Sequence, residues 1–441
     1  MAAQYHHSLR FEADKCSGCM SCMRACPTTA VRVRKGRALM LQDRCIDCGE
    51  CIRVCPRSAI VPLTDQMADL SKFDCRVALP STALYAQFDA DALPGVIYAA
   101  LKQCGFDDVE PVSPGCDAVT AAIEVFLSEY RGQFPLISSF CPTVVRLVQV
   151  KYPELVEQLL PIMAPREISA RDAKLRKSAE TGIPPERIGT VYITPCPAKM
   201  VSIMEHPGMS RSYMDAAVSI SDLFQTLASA IARVRTVEDL ICGETATGVN
   251  WAFLGGFPRS LPAENTLSVA GLPNVIRILD DIEKGKLRKY SFIECHACPE
   301  GCVAGCLTVE NPYVARGKVI RLSQKLPPGP AMDRKTVERL YRKGMFQTEE
   351  PFASRPLRPL DQDISRAISK MKERDRIYAG LPGIDCGACG APTCWAFAED
   401  VVQDEAQEPS CIFFWRRALA DQIDVLAQLA RLQEPSTGGH E

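Results

Sequence analysis

The chain has 441 residues, with 51 Lys and Arg against 53 Asp and Glu, so its formal net charge is −2. That balance offers no basic footprint for nucleic acid or an anionic membrane, and no apolar run approaches the roughly 18 residues that span a bilayer. Its 22 cysteines follow an N-terminus without the pattern of an export signal, which excludes a secreted disulfide scaffold and points to metal ligands in the cytoplasm.

Residues 1–62 hold two matching cysteine runs. Cys16, Cys19, Cys22 and Cys26 precede Pro27, and Cys45, Cys48, Cys51 and Cys55 precede Pro56, a repeat with a shift of 29 residues. The C-x2-C-x2-C-x3-C-P spacing is that of bacterial two-cluster ferredoxins, in which the fourth cysteine of each run serves the other cluster. Cys16, Cys19 and Cys22 are therefore grouped with Cys55, and Cys45, Cys48 and Cys51 with Cys26, each set on a [4Fe-4S] cluster. Zinc is the competing reading, but it favours two ligand pairs on separate knuckles.

From 73 to 345, short apolar strands (76–79, 136–139, 191–194, 290–294) alternate with helical patterns (142–160, 219–235, 274–286). That rhythm predicts a parallel α/β domain. Cys75, Cys104, Cys116 and Cys242 read as small buried hydrophobes. Other cysteines close apolar strands: Cys141 before Pro142, Cys196 before Pro197, and Cys295, Cys298, Cys302 and Cys306 after the last strand. Strand-end loops of α/β domains are where ligands bind, and four of these cysteines would make one four-thiolate site.

A Pro-rich, charged stretch at 346–361 is expected to be a linker. Residues 362–433 follow as a small helical domain, with helices at 364–378 and 412–432. Its loop, Leu381-Pro382-Gly383-Ile384-Asp385-Cys386-Gly387-Ala388-Cys389-Gly390-Ala391-Pro392-Thr393-Cys394, is completed by Cys411. This wording resembles the four-cysteine iron–sulfur domain of corrinoid iron–sulfur proteins and of redox-complex subunits, although the spacing alone also admits zinc. The last helix has apolar residues at helical spacing (Leu419, Ile423, Leu426, Leu429). It is expected to pack on its own domain, with a partner or dimer contact as the alternative. The tail 434–441 is expected to be disordered.

The strand-end motifs, Ser139-Phe140-Cys141-Pro142, Pro195-Cys196-Pro197-Ala198-Lys199 and Ala297-Cys298-Pro299-Glu300-Gly301-Cys302, resemble the three signature loops of the [FeFe]-hydrogenases. The domain order resembles that of members assigned a sensory role, without their PAS domain. The resemblance implies an α/β hydrogenase domain between an α+β ferredoxin-like module and a small helical iron–sulfur domain. It implies four [4Fe-4S] clusters, one of them held by Cys141, Cys196, Cys298 and Cys302. Cys302 would also bridge to a two-iron unit carrying CO, cyanide and a dithiolate amine, supplied by dedicated maturation enzymes. Lys199 would donate to one cyanide, a charge-assisted bond to a small anion with no covalent tether. Pro80 and Ser81 match the loop beside the other.

The departures matter as much. Where well-studied members have a proton-transferring cysteine stands Phe140. The carboxylates behind it fall at Thr120 and Ile123, and the serine near Leu160. Thr194 and His296 replace methionines, Arg166 a glutamine, and Glu300 a glycine. His296, Glu300 and Arg166 are therefore expected near the active site, with Glu300 the first candidate for a proton relay and Glu124 the second. The resemblance implies an enzyme interconverting H2 with protons and electrons, slowly and in a sensory or regulatory setting, with a ferredoxin or flavoprotein as redox partner. The alternatives are an electron-relay subunit without H2 chemistry, and a hydrogenase-like protein holding only a cubane.

Overall fold

The computed structural model describes residues 5–89, 92–261, 265–329 and 332–432; the expected tail at 434–441 lies outside them. The strands are β1 (Leu9–Phe11), β2 (Val31–Arg34), β3 (Arg37–Met40), β4 (Ile60–Pro62), β5 (Cys75–Pro80), β6 (Asp108–Val109), β7 (Leu136–Ile137), β8 (Ile188–Thr194), β9 (Ala216–Ser219), β10 (Thr266–Ala270) and β11 (Phe292–His296). Two compact units emerge. One comprises 1–10, 45–53 and 60–356; the other comprises 11–44, 54–59 and 357–441. The residues expected as one ferredoxin-like module, 1–62, are thus divided between them.

The larger unit is built on two parallel sheets, ordered β6-β5-β8-β9 and β10-β11-β7. Successive side chains of a strand face opposite ways, and each face here has its own core. Ala78, Val191, Ile193 and Val218 pack with the helices Pro94–Gln103 and Ile220–Ile231. Val77, Leu79, Tyr192 and Ala217 pack on the other face with the helix Pro165–Thr181. In the second sheet Ile137, Ile293 and Val269 meet the helices Pro142–Lys151 and Leu272–Glu283. Leu136 and Phe292 meet the helix Ser113–Glu129. Helices on both faces explain why these strands read as continuous apolar runs.

Two expectations are corrected here. The helix expected over 142–160 stops at Lys151, because Pro153 has no N–H to donate and disfavours helical geometry at Tyr152. A 3-10 turn, Pro153–Gln158, follows, and Leu160 then donates its N–H to the Ile137 carbonyl. The expected linker, 346–361, is not free over its first part. Phe346 is fully buried among Leu136, Leu160 and Tyr341, Gln347 bridges to Ile162, and Arg355 pairs with Glu205.

The smaller unit carries the antiparallel pair β2–β3 and the helices Ile364–Gly380, Cys394–Val402 and Ile412–Leu432. Asp363 and Thr393 cap the first two through N–H groups three residues on. Their small core gathers Ile377, Phe397, Ala398, Val402 and Cys411. The last helix does not pack its apolar stripe on this domain: Leu419, Ile423, Leu426 and Leu429 are exposed. Among the described residues no helix is long and apolar enough to cross a membrane.

Candidate metal centre

Two of the expected ligand cysteines are helix caps. Cys141 follows β7 and caps Pro142–Lys151; Cys196 follows β8 and caps Pro197–Glu205. Proline at the first helical position sacrifices no hydrogen bond and presets φ. An apolar strand followed by Cys-Pro therefore encodes strand end, cap and helix start in one motif. It also sets two helix N-termini, with unpaired N–H groups and partial positive charge, beside the sulfurs. Cys298 and Cys302 come from the loop after β11, the latter within the short turn Gly301–Ala304.

All four cysteines line one cavity, with Ser81, Phe140, Arg166, Lys199 and His296. Lys199 is buried, and its Nζ donates to Cys302 Sγ at 3.2 Å. Burial pulls its ammonium down, but the Cys302 and Cys196 thiolates outweigh that, and it is held above the ordinary lysine value. Among the described residues no carboxylate pairs with it. Burial pushes Cys302 up, whereas Lys199 and a hydrogen bond from His296 bring it down to about 6. Cys196 and Cys298 are raised, by burial first and then by neighbouring thiols. Four crowded sulfurs beside an ammonium with no acid fit a metal-bound anionic group, since a bound metal ion keeps thiols deprotonated.

His296 Nε2 lies 2.9 Å from Glu294 Oε1, and buried Glu294 also accepts the Gly255 N–H at 2.8 Å. Burial opposes the imidazolium, but Glu294 and Cys302 hold His296 well above the ordinary histidine value. Pro80 ends β5 and does not line the cavity, whereas Ser81 does. Nor does Thr194, whose Oγ1 donates to the Cys196 carbonyl at 2.8 Å. Glu300 is not among the lining residues either; its Oε2 accepts from Arg316 Nη1 at 2.9 Å. Glu124 pairs with Arg334 at 3.6 Å.

Several lining or supporting residues escaped the sequence reading. Phe140 meets Trp251 edge-on at 5.0 Å and Phe257 at 5.9 Å, and those two rings stack at 4.2 Å. Trp251 Nε1 donates to Thr120 Oγ1 at 3.1 Å. The position of the expected proton path is thus an aromatic wall backed by buried Ile123 and Leu160. Cys116 is buried as expected, yet it lines the cavity. Cys295 is also buried, its N–H donating to Ser138. No sequence spacing relates these groups, because they meet only through the packing of separate helices.

Cys45, Cys48 and Cys51 of the second cysteine run belong to this same unit. Cys48 lines the cavity, and Arg53 donates to the Ala304 carbonyl with its Nη2 3.9 Å from Cys298 Sγ. A Cβ on Gly49 would lie 2.2 Å from Cys306 Sγ, so only glycine lets the two loops meet this closely. Asp47 anchors the run, accepting the Ser8 N–H at 3.1 Å and facing His7 at 2.8 Å.

In the smaller unit Cys22 is pushed up to about 11, by burial and then by Cys16, Cys19 and Cys55, so these four thiols face one another. Backbone N–H groups point at the sulfurs: Ala38 to Cys16 at 3.4 Å, and Ala59 to Cys55 at 3.2 Å. Such bonds tune cluster potentials. Cys389 is likewise raised by burial and then by Cys411 and Cys386, while Asp385 accepts the Cys394 N–H at 2.6 Å.

Comparison with known proteins agrees with this arrangement. The family described as iron only hydrogenase large subunit, C-terminal domain, matches 76–257 and 258–306. A 4Fe-4S dicluster domain matches 8–56, and an Fe-S cluster family matches 381–413. The chain is 25% identical to iron hydrogenase 1 of Clostridium pasteurianum over 257 residues, 48% of this chain and 45% of that protein. It is 26% identical over 363 residues to the periplasmic [Fe] hydrogenase large subunit of Nitratidesulfovibrio vulgaris, 68% of this chain and 86% of that one. The chain thus spans less than half of the first relative and most of the second. A variant of the [FeFe]-hydrogenase HydA1 from Chlamydomonas reinhardtii superposes with a TM-score of 0.52 at 16% identity, covering 66% of this chain and 98% of that one; it shares the fold. With a family match over more than half of its length, the chain belongs to the iron-only hydrogenases.

Proposed function

We propose that the protein is an [FeFe]-hydrogenase-type oxidoreductase that interconverts H2 with protons and electrons. The observation that carries this reading is Lys199: a buried ammonium, on a four-cysteine cavity, with no carboxylate partner among the described residues. Cys141, Cys196, Cys298 and Cys302 would hold a cubane, with a two-iron unit bearing CO and cyanide beside Lys199 and Ser81. When bound, that group supplies the redox centre at which H2 is made or split. The chain's own residues do the rest. Lys199 donates to an anionic ligand, His296 holds a proton between Glu294 and Cys302, and the apolar rings keep water from one side of the cavity.

Electrons would reach the cavity from the cluster of Cys45, Cys48, Cys51 and Cys26, a set that rests on the sequence spacing alone. The sets Cys16, Cys19, Cys22, Cys55 and Cys386, Cys389, Cys394, Cys411 would complete four cubanes. A soluble ferredoxin or flavoprotein would be the redox partner, and the exposed stripe of Ile412–Leu432 offers a surface for one or for a second copy.

Slow turnover follows from the wall at Phe140. A relay at this position needs a titratable group there, and a positioned acid or base supplies about 10²–10⁴-fold in rate. Phe140 has none, and the Glu300 carboxylate is held by Arg316, away from the lining. This argues against the relay role expected for Glu300. The test is an infrared spectrum of matured protein with an H2 assay on the same sample. Iron-bound CO and cyanide bands with measurable H2 turnover support the reading. Their absence from fully matured protein would leave the other reading, an electron-relay subunit.

A further inference from the structure

The smaller unit brings the C-terminal cysteine loop onto the first ferredoxin run. Between Cys386 and Cys389 stands Gly387, with φ +76, and a Cβ there would lie 2.9 Å from Met23 Cε. Met23 is fully buried and adjoins Cys22, one of the four thiols of the first site. After Cys389 stands Gly390, φ +80, where a Cβ would lie 1.9 Å from the Val33 carbonyl oxygen. The two backbones touch: Val33 N–H donates to Gly390 O at 2.9 Å. Arg34 Nη1 donates to the Cys389 carbonyl at 2.8 Å, and Arg24 Nη2 to that of Cys386 at 3.3 Å.

Charge locks this seam. Asp400, buried in the helix that begins at Cys394, accepts from Arg32 Nε at 2.6 Å and from Arg34, while Glu399 pairs with Arg44. Breaking one partner of a buried pair leaves an uncompensated charge, so the contact is held in one geometry. Glycines at both touching positions do more than shape a cluster loop: any side chain there would wedge the two loops apart.

We propose that the site of Cys386, Cys389, Cys394 and Cys411 exchanges electrons directly with the site of Cys16, Cys19, Cys22 and Cys55, across Met23, Gly387 and Gly390. The step moves one electron from one cluster to the other, and no atom or proton changes place. It rests on the reading that both sets hold [4Fe-4S] clusters. Tunnelling falls off exponentially with distance, and a seam with backbone-to-backbone contact keeps that distance short. The C-terminal domain is then a port of the electron chain, and the first ferredoxin site is its immediate neighbour.

The test is electron paramagnetic resonance of the whole chain after full chemical reduction, with iron and sulfide counted on the same sample. Two reduced clusters this close should split or broaden each other's signals. Cys394→Ala, which removes the C-terminal cluster, should simplify the signal of the first site, and Cys19→Ala should do the reverse. The pair Arg34→Gln with Asp400→Asn touches no ligand; it should keep the iron and lose much of the splitting. Unchanged line shapes in both single-cluster variants, with iron counts showing both clusters in the parent, overturn the proposal. A parent whose iron count lacks these clusters overturns instead the reading on which it rests.

Discussion

At Lys199 two large effects oppose each other: burial penalises the ammonium, and the thiolates of Cys302 and Cys196 restore it. On the proposed function, that charge would also serve an anionic ligand of the bound group. Lys199→Ala should therefore spare the cubane thiols and weaken retention of the two-iron unit. Iron content should fall slightly while CO and cyanide bands of matured protein drop several-fold; bands at full intensity would remove the cyanide role. Phe140 is the second decisive residue. A thiol placed there still faces Trp251, Phe257, Ile123 and Leu160, none of which passes a proton. Phe140→Cys should change H2 evolution by less than about tenfold, below the usual gain from a connected acid or base. A rise of a hundredfold, measured in the same assay, would mean that a proton route survives behind the rings.

Among the elements, the strand–Cys–Pro–helix units do most to place the centre, because each fixes one thiol at a sheet end and one helix N-terminus beside it. The strap at 346–356 is a quieter contribution. Phe346 fills space between Leu136 on β7 and the helix Arg334–Arg342, close behind the strand that delivers Cys141. Its side chain is fully buried, so Phe346→Ala should cost about 3–5 kcal/mol, the usual range for a buried phenylalanine. The urea midpoint of the larger unit reports this loss. A shift near zero would return 346–356 to the status of a tether.

For the whole molecule, iron is the simplest measure. Four cubanes on sixteen cysteines require about 16 iron per chain before any two-iron unit is added. Cys306 sits against Gly49, between Cys51 and Cys196, yet it belongs to none of the four sets. Cys306→Ser should leave the count unchanged, and a loss of about four iron would move it into a ligand set. Four such sites in one chain would suit a protein that passes single electrons over a distance, and the apolar stripe on Ile412–Leu432 is exposed.

The sequence by itself determined the family, the parallel α/β plan and the four motif cysteines that line the cavity, Cys141, Cys196, Cys298 and Cys302. These rest on short-range signals: ligand spacing within one loop, an apolar run closed by Cys-Pro, and glycines beside a cysteine. Glu300 shows where such signals stop. It lies between two lining cysteines in sequence, but whether its carboxylate meets the cavity or Arg316 depends on a helix that begins at Pro312. Trp251 and Cys116 reach the cavity, and Phe257 backs them, from segments with no motif of their own. Only the tertiary structure decided that rings wall the position where the proton path was expected, that Lys199 has no carboxylate partner among the described residues, and that the C-terminal loop rests on Met23 and Val33. Each of these is a contact between residues far apart in the chain, fixed by how helices and sheets pack rather than by any local pattern.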